Sequence, residues 1–233
     1  MSFNIVRNNY PQAAELLQLL SFLNPDGILI DFLQDGVEAL QDNLRQVVSN
    51  QIDLSKALIE LENFSLIKWN RLTRTLLIHR LMQMVVQDEM SDTDSMTLRN
   101  TIINLCDRSF PQQWTNANRE LCRIYVDQLM RALLDVNVIR TEQSASIMDR
   151  VGRFLREDGK LSDSERLSLR ASEISAEILG PEHAFTLTTM HNLATTYRAQ
   201  GRTAEAAALE EQVLEKSRRI LAGAGDKEED HGK

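Results

Sequence analysis

Displaced against itself by 42 residues, the last third of the sequence falls into register with its own continuation. Gly159 lands on Gly201, Val151 on Leu193, Gly152 on Ala194, Leu155 on Tyr197, Leu167 on Leu209, Ala171 on Val213 and Leu179 on Leu221. Small residues meet small ones and large apolar residues meet large ones. A period of this length belongs to stacked helical units, none of which can bury its apolar face without a neighbour. Each copy reads as helix, turn, helix, with the turns at Asp158-Gly159 and Gln200-Gly201. The pattern predicts two repeats of an α-α superhelical array over residues 141–221. Residues 222–233, Ala222-Gly223-Ala224-Gly225 followed by mostly acidic residues, carry no large apolar side chain and are expected to form a frayed tail.

Upstream, Pro11 opens a run in which Ala13, Leu16, Leu17, Leu20 and Leu23 recur at helical spacing until the turn Asn24-Pro25-Asp26-Gly27. A short apolar stretch follows from Ile28 to Leu33. Asp53 is a candidate N-cap for a helix bearing Leu54, Ala57, Leu58 and Leu61. Ser65 to Trp69 and Thr75 to Ile78 are short and rich in branched or aromatic residues, and Asn70 to Thr73 between them are polar, so a two-stranded hairpin is expected. Helical spacing resumes at Leu81, Met82, Val85 and Val86. Helices, a small β-hairpin and a last helix describe a winged-helix domain over residues 1–92. Residues 93–140 are expected to be a helical linker of two helices broken at Ser109-Phe110-Pro111, because the residue before proline is pushed out of helical geometry. The second of them would carry Trp114, Leu121, Cys122, Tyr125, Leu129 and Leu133 on one side. The fold class is therefore mainly α.

Composition narrows the function classes. A net charge of −8 disfavours phosphate-rich surfaces as main partners and leans toward basic ones. With four prolines and nine glycines in 233 residues, long stretches of good helix formers run uninterrupted. Cys106 and Cys122 lie among apolar residues without the dense spacing of a secreted disulfide framework, which points to a reducing, cytoplasmic setting. No stretch reaches the roughly 20 apolar residues of a membrane span, and the start lacks the order of a signal peptide.

The segment HNLATTYRAQGRTAEAAALEEQVLEKSRRIL and the phrase LGPEH between the copies resemble tetratricopeptide repeats of the kinesin-light-chain-like kind. That resemblance implies that Leu193, Ala194, Tyr197, Gly201 and Ala206 pack one helix against the next. The first copy departs from it at Ser164, where the second has Ala206, and at Arg150, where the second has Asn192. The front part, AAELLQLLSFLNPDGI through LLIHRLMQMVV, resembles the winged-helix segment of fungal NLR-like signalling NTPases of the NB-ARC or NACHT (STAND) type. In that family a Met-His-Asp motif opens the last winged-helix helix and its histidine contacts nucleotide phosphates. Ile78, His79 and Arg80 stand at those places, and the chain has no G-x-x-x-x-G-K-[ST] loop. The resemblance implies the C-terminal portion of a larger architecture, or a shortened relative, with a nucleotide-binding domain as a separate partner.

These readings give a non-catalytic protein-interaction module that needs no cofactor. The tetratricopeptide resemblance implies that Asn192 lies on the concave helix and can hydrogen-bond a peptide backbone, as a carboxamide both donates and accepts, the other reading being a solvated helix residue. Arg198, with Arg202, is a candidate for acidic side chains, although a solvated helix end is the simpler reading. His79 is a candidate nucleotide contact only beside a partner domain, and otherwise a structural histidine at a strand-to-helix junction. Two alternatives are a nucleotide-sensing switch and a DNA-binding winged helix. The candidate recognition helix Asp53 to Glu62 sets Lys56 against Asp53, Glu60 and Glu62, so nucleic acid is disfavoured despite Lys68, Arg71 and Arg74 in the wing. Glu182, His183 and His191 do not fall at metal-ligand spacing. No nucleophile context is present for catalysis. The face of Trp114, Cys122 and Tyr125 reads as core rather than a docking surface.

Overall fold

The computed structural model describes residues 2–135 and 137–229. The chain divides into two compact units, Met1–Ile139 and Arg140–Lys233, both dominated by helix.

The first unit opens with a helix that the sequence reading did not foresee, α1 (Ser2–Asn9), which buries Phe3 and Val6 one turn apart against α2 (Pro11–Leu20). Each such side chain contributes about 1.5–3 kcal/mol when fully buried, enough to hold a polar helix of this length. In α2, with Pro11 at its start, Ala13, Ala14, Leu16, Leu17, Leu19 and Leu20 are all buried, so apolar surface runs well beyond one face and the helix is central. Next come β1 (Ile28–Leu29), α3 (Ile30–Asp35), a 3-10 turn (Val37–Ala39), α4 (Asp42–Ser49) and α5 (Gln51–Asn63). The cap of α5 is Asn50, whose Oδ1 accepts from the amides of Ile52 (2.9 Å) and Asp53 (3.3 Å). Asp53, expected as the cap, lies inside the first turn, where its charge suits the helix dipole.

The sheet has three strands rather than the expected two. β2 (Lys68–Asn70) and β3 (Thr75–Leu77) form the antiparallel hairpin, and β1 pairs antiparallel on the other side of β3 with Ile28 opposite Leu76. Leu76, central in the order β1-β3-β2, is fully buried. Asn70 Oδ1 closes the hairpin turn by accepting from the amides of Leu72 and Thr73.

After the sheet, α6 (Arg80–Asp88) turns a different face inward from the one its apolar spacing suggests. Gln83 and Val86 are buried, whereas Leu81, Met84 and Val85 are exposed. The reason lies in α2, whose C-terminal carbonyls need donors once buried. Gln83 Nε2 donates to the carbonyls of Leu20 (3.3 Å) and Leu23 (2.9 Å), and Gln87 Nε2 to that of Ser21 (2.7 Å).

The segment expected as a linker forms α7 (Asp92–Ser109) and α8 (Arg119–Leu133), which belong to this same unit. Ser91 caps α7. Ser109 Oγ reaches the carbonyls of Phe32 and Leu105, both at 2.8 Å. On α8, Tyr125 donates to Asp35 Oδ2 (2.7 Å) and meets the Phe32 ring edge-on at 5.3 Å. Trp114 lies in the connection before α8, not on the helix, because the helix starts only at Arg119. Cys106 and Cys122 are buried and outside any disulfide, and burial pushes the Cys106 thiol up to about 12.

The second unit is a run of four helices, α9 (Glu142–Glu157), α10 (Leu161–Leu179), α11 (Ala184–Ala199) and α12 (Thr203–Glu229), each packed on the next. The two turns repeat bond for bond. Gly159, at φ +80°, lets the Lys160 amide reach the carbonyl of Leu155 (2.8 Å), and Gly201, at φ +81°, lets that of Arg202 reach Tyr197 (2.9 Å). Leu193, Ala194 and Ala206 are buried, as the family resemblance implied. Ser164 fits among them because its Oγ donates to the carbonyl of Gly152 at 2.8 Å and lies 3.2 Å from Thr196 Oγ1. Helix α12 continues past Leu221, where the apolar pattern ends, as far as Glu229. Residues 222–229, expected in a frayed tail, thus include good helix formers with no proline to stop them, and residues 230–233 of that tail lie outside the described residues.

Candidate peptide-binding face

Asn192 sits on α11 opposite α9, the first helix of the preceding repeat. Its Nδ2 donates to Asp149 Oδ1 at 2.8 Å, and Arg153 Nε reaches the other oxygen of the same carboxylate at 3.2 Å. Asp149 is itself buried. Burial pushes its carboxyl above the ordinary value, and the hydrogen bond from Asn192 and the charge of Arg153 act the other way. One turn along α9, Arg156 is half-buried and donates to the main-chain carbonyl of Asn192 at 3.3 Å. Burial lowers the pKa of its guanidinium, the charges of Glu157 and Asp149 act the other way, and it makes no hydrogen bond to a carboxylate among the described residues. The result is a polar strip in which, among the described residues, the Asn192 carboxamide oxygen accepts no hydrogen bond and the desolvated Arg156 feels the charges of Glu157 and Asp149 without a hydrogen bond to either.

Arg156 was not singled out in the sequence, although the repeat register aligns it with Arg198, which was. The structure places Arg198 elsewhere, in a two-point pair with Glu210 of α12 at 2.5 and 2.6 Å. Arg202 is likewise engaged, with Glu165 of α10 (2.7 Å) and Glu205, and stacks over Tyr197 at 4.1 Å. Arg198 thus ties α11 to α12, and Arg202 ties the start of α12 to α10.

The bonds from Arg202 and Gln200 hold the Glu165 carboxyl below its ordinary value of 4.5. A lowered folded-state value gives stability that is complete above 4.5 and is lost as pH falls through the folded value. Glu165→Gln is therefore expected to cost about 1 kcal/mol at neutral pH, given partial solvent screening. Melting curves over a pH series should show the variant and the parent chain converging at strongly acidic pH. A gap that stays constant across the series would rule the linkage out.

His79 is exposed at the N-terminus of α6, and its Nδ1 accepts from the Leu81 amide at 3.2 Å, so it is the helix cap. It faces an open cleft of about 500 Å³ that Asp26, Glu62 and Lys68 also line. Arg80, standing where the family motif has aspartate, pairs with Asp26 at 2.8 Å. His183 plays the same capping part for α11, accepting from the Phe185 amide at 3.2 Å. Among the described residues no group of His, Cys, Asp and Glu is placed to hold a metal ion. No helix of those residues is long and apolar enough to cross a membrane.

Of the cations considered for DNA, Arg71 and Arg74 in the hairpin and Lys56 on α5 are engaged, while Lys68 is exposed with no ion pair among the described residues. Arg71 pairs with Glu62 (2.8 Å) and lies over Trp69, Arg74 binds Asp31 (2.7 Å) and Gln34 (2.6 Å), and Lys56 faces Asp53. A phosphate backbone would have to displace each of these partners.

Comparison with known proteins matches residues 143–219 to the tetratricopeptide repeat and residues 6–95 to DUF7779, a domain of unknown function. No curated protein matches the chain significantly. Among solved structures the chain is similar to a crystal structure of kinesin light chain nearly identical TPR-like repeats from Podospora anserina. That likeness has 18% identity and a TM-score of 0.35, and covers 83% of this chain and 98% of the other.

Proposed function

We propose that the chain is a protein-interaction module whose tetratricopeptide pair holds an acidic peptide segment of another protein across α9 and α11. The observation that carries this reading is Arg156, a half-buried cation whose hydrogen bond goes to a carbonyl at 3.3 Å rather than to an acid. Beside it, the Asn192 carboxamide oxygen accepts no hydrogen bond among the described residues and can take a peptide N–H. A carboxylate arriving at Arg156 would meet a charge already partly stripped of water, where a hydrogen-bonded ion pair gains most. The chain as a whole carries −8, so the attraction is local, and acts within a screening length of roughly 8 Å in physiological salt.

The order of parts supports a wider context. A unit of helices with a small antiparallel sheet, followed by tetratricopeptide repeats, agrees with a winged helix and interaction repeats from an NLR-like signalling protein. In that setting the cleft at His79 is where a separately supplied nucleotide-binding domain would rest. The cap bond leaves the proton on His79 Nε2, a donor suited to a phosphate oxygen.

Selection of a random short-peptide library on the full chain tests the main reading. Enriched sequences should be rich in Asp and Glu. Arg156→Ala and Asn192→Ala should each weaken their binding about tenfold, the scale of an interface anchor. Enrichment of basic peptides, or binding that ignores both substitutions, would sink the proposal.

A further inference from the structure

Polar side chains from three elements of the first unit converge on an opening that His79 does not line. This cleft of about 290 Å³ lies between the turn at Asn24, helix α6 and helix α8, and its walls carry Asn24, Arg80, Gln83, Met84, Gln87 and Arg131. No Asp or Glu among the described residues lines it. Arg131 makes no hydrogen bond or ion pair among the described residues. Of the acids one turn to either side on its own helix, Asp135 is held by Arg99 at 3.0 Å and Asp127 makes no ion pair with it. Arg80 gives one nitrogen to Asp26 at 2.8 Å, in a pair exposed on both sides, and keeps the rest of its guanidinium for another partner. Asn24 accepts the Asp26 amide on Oδ1, and its Nδ2 donates to no group among the described residues.

The acceptors on the opposite wall are fixed. Gln83 is only 4% exposed, and its Nε2 is anchored on the carbonyls of Leu20 and Leu23. Its Oε1 accepts no hydrogen bond among the described residues. Gln87 is held in the same way through the carbonyl of Ser21, and its Oε1 is likewise without a protein donor. An acceptor buried without a donor costs free energy, and Gln83 stands where a ligand can supply one.

The two sets of groups define the ligand. Two guanidinium groups and a carboxamide N–H suit the oxygens of a phosphate, which arginine binds through parallel N–H bonds. The glutamine oxygens call for a hydroxyl beside that phosphate. Met84, largely exposed, supplies an apolar wall for the carbon between them. The volume lies at the lower end of small-molecule sites, which start at roughly 300 Å³, so the ligand has few carbons. We propose that this cleft binds a small hydroxylated phosphate monoester, its phosphate on Arg80 and Arg131 and its hydroxyl on Gln83 or Gln87. The site uses nothing from the repeats and is measured without peptide.

Titration of the full chain with glycerol phosphate, followed by amide NMR shifts, is the test. Saturable shifts should group around Asn24, α6 and Arg131, with a Kd of about 0.1–1 mM. Methyl phosphate, which lacks the hydroxyl, should bind about fivefold more weakly, and glycerol should move nothing. Arg80→Gln and Arg131→Gln should each weaken glycerol phosphate about tenfold. Both positions are exposed, and circular dichroism checks that each variant folds. Shifts that fail to saturate, shifts centred on His79 and Lys68, or binding indifferent to Arg131→Gln overturns the proposal. So does methyl phosphate binding as tightly as glycerol phosphate, or a phosphoserine peptide binding tenfold more tightly, which would assign the cleft to a protein instead.

Discussion

Gly36→Ala is expected to destabilise the first unit by about 2–3 kcal/mol, the cost of forcing extra volume into a tight contact. A methyl group at this position would lie 2.3 Å from Ser109 Oγ, 2.5 Å from Leu105 Cδ1 and 2.9 Å from the Leu105 carbonyl oxygen. None of the three can yield cheaply. Ser109 Oγ is held by the carbonyls of Phe32 and Leu105, the Leu105 side chain is fully buried, and the third contact is backbone near the C-terminal end of α7. Helix α7 must back away from the 3-10 turn, which disturbs the Phe32 and Tyr125 contact beside it. The backbone of Gly36 is at φ −99°, open to any residue, so the effect is steric and not conformational. Both tryptophans, Trp69 and Trp114, lie in this unit. Urea unfolding followed by tryptophan fluorescence therefore reads it alone, and an unchanged midpoint would show that the close approach is absent.

Gly36 also shows where the sequence stopped being readable. Elements marked by local chemistry could be placed: the glycine turns at Gly159 and Gly201, the proline start of α2, the Asn70 turn and the break at Pro111. Elements decided by distant partners could not. β1 is two residues long, runs straight into α3 without alternation, and exists because Leu76 lies beside Ile28 across a long stretch of chain. Nothing in α6 announces that Gln83 outranks Leu81 and Val85 for the interior. The buried carbonyls ending α2 decide it, and they are far away in sequence. The early helix α1 was missed because Phe3 and Val6 are two anchors in an otherwise polar segment.

The candidate face was legible in the same uneven way. Asn192 could be found from the repeat resemblance, since it depends on helix phase alone. Arg198 holds the repeat position of Arg156 but faces another way from Asn192, and Glu210 on the following helix pairs with it at 2.5 Å. Its register mate Arg156 has no such acid across from it, and the repeat alignment held the signal that would have found it. What decides between two equivalent arginines is the next helix, which the alignment of one repeat with another leaves out.

The helix bearing Arg156 depends on one small residue, and Gly152→Leu is expected to cost the second unit about 3 kcal/mol by driving α9 from α10. Even a methyl group at Gly152 would lie 2.9 Å from Ser168 Oγ, 3.5 Å from the Ser164 carbonyl and 3.6 Å from Leu167 Cβ. A leucine would have to occupy space already filled by backbone. Alanine is a different matter, because its one close contact is a hydroxyl that is buried without a hydrogen-bond partner. That hydroxyl can turn aside, and replacing glycine inside a helix gains about 1 kcal/mol. Gly152→Ala should be close to neutral. Joined with Ser168→Ala, which removes both the clash and an unsatisfied polar group, it should stabilise by about 1–2 kcal/mol. The other copy carries Ala194 at the place of Gly152 and Glu210 at that of Ser168, so it too lacks the serine hydroxyl. Since both tryptophans report the first unit, helicity by circular dichroism is the probe here, and acidic-peptide binding should fall with it for Gly152→Leu. A leucine variant that melts with the parent chain would mean that α9 and α10 do not meet at Gly152. The position of Arg156 over Asn192, and the ligand chemistry inferred from it, would then lose their support.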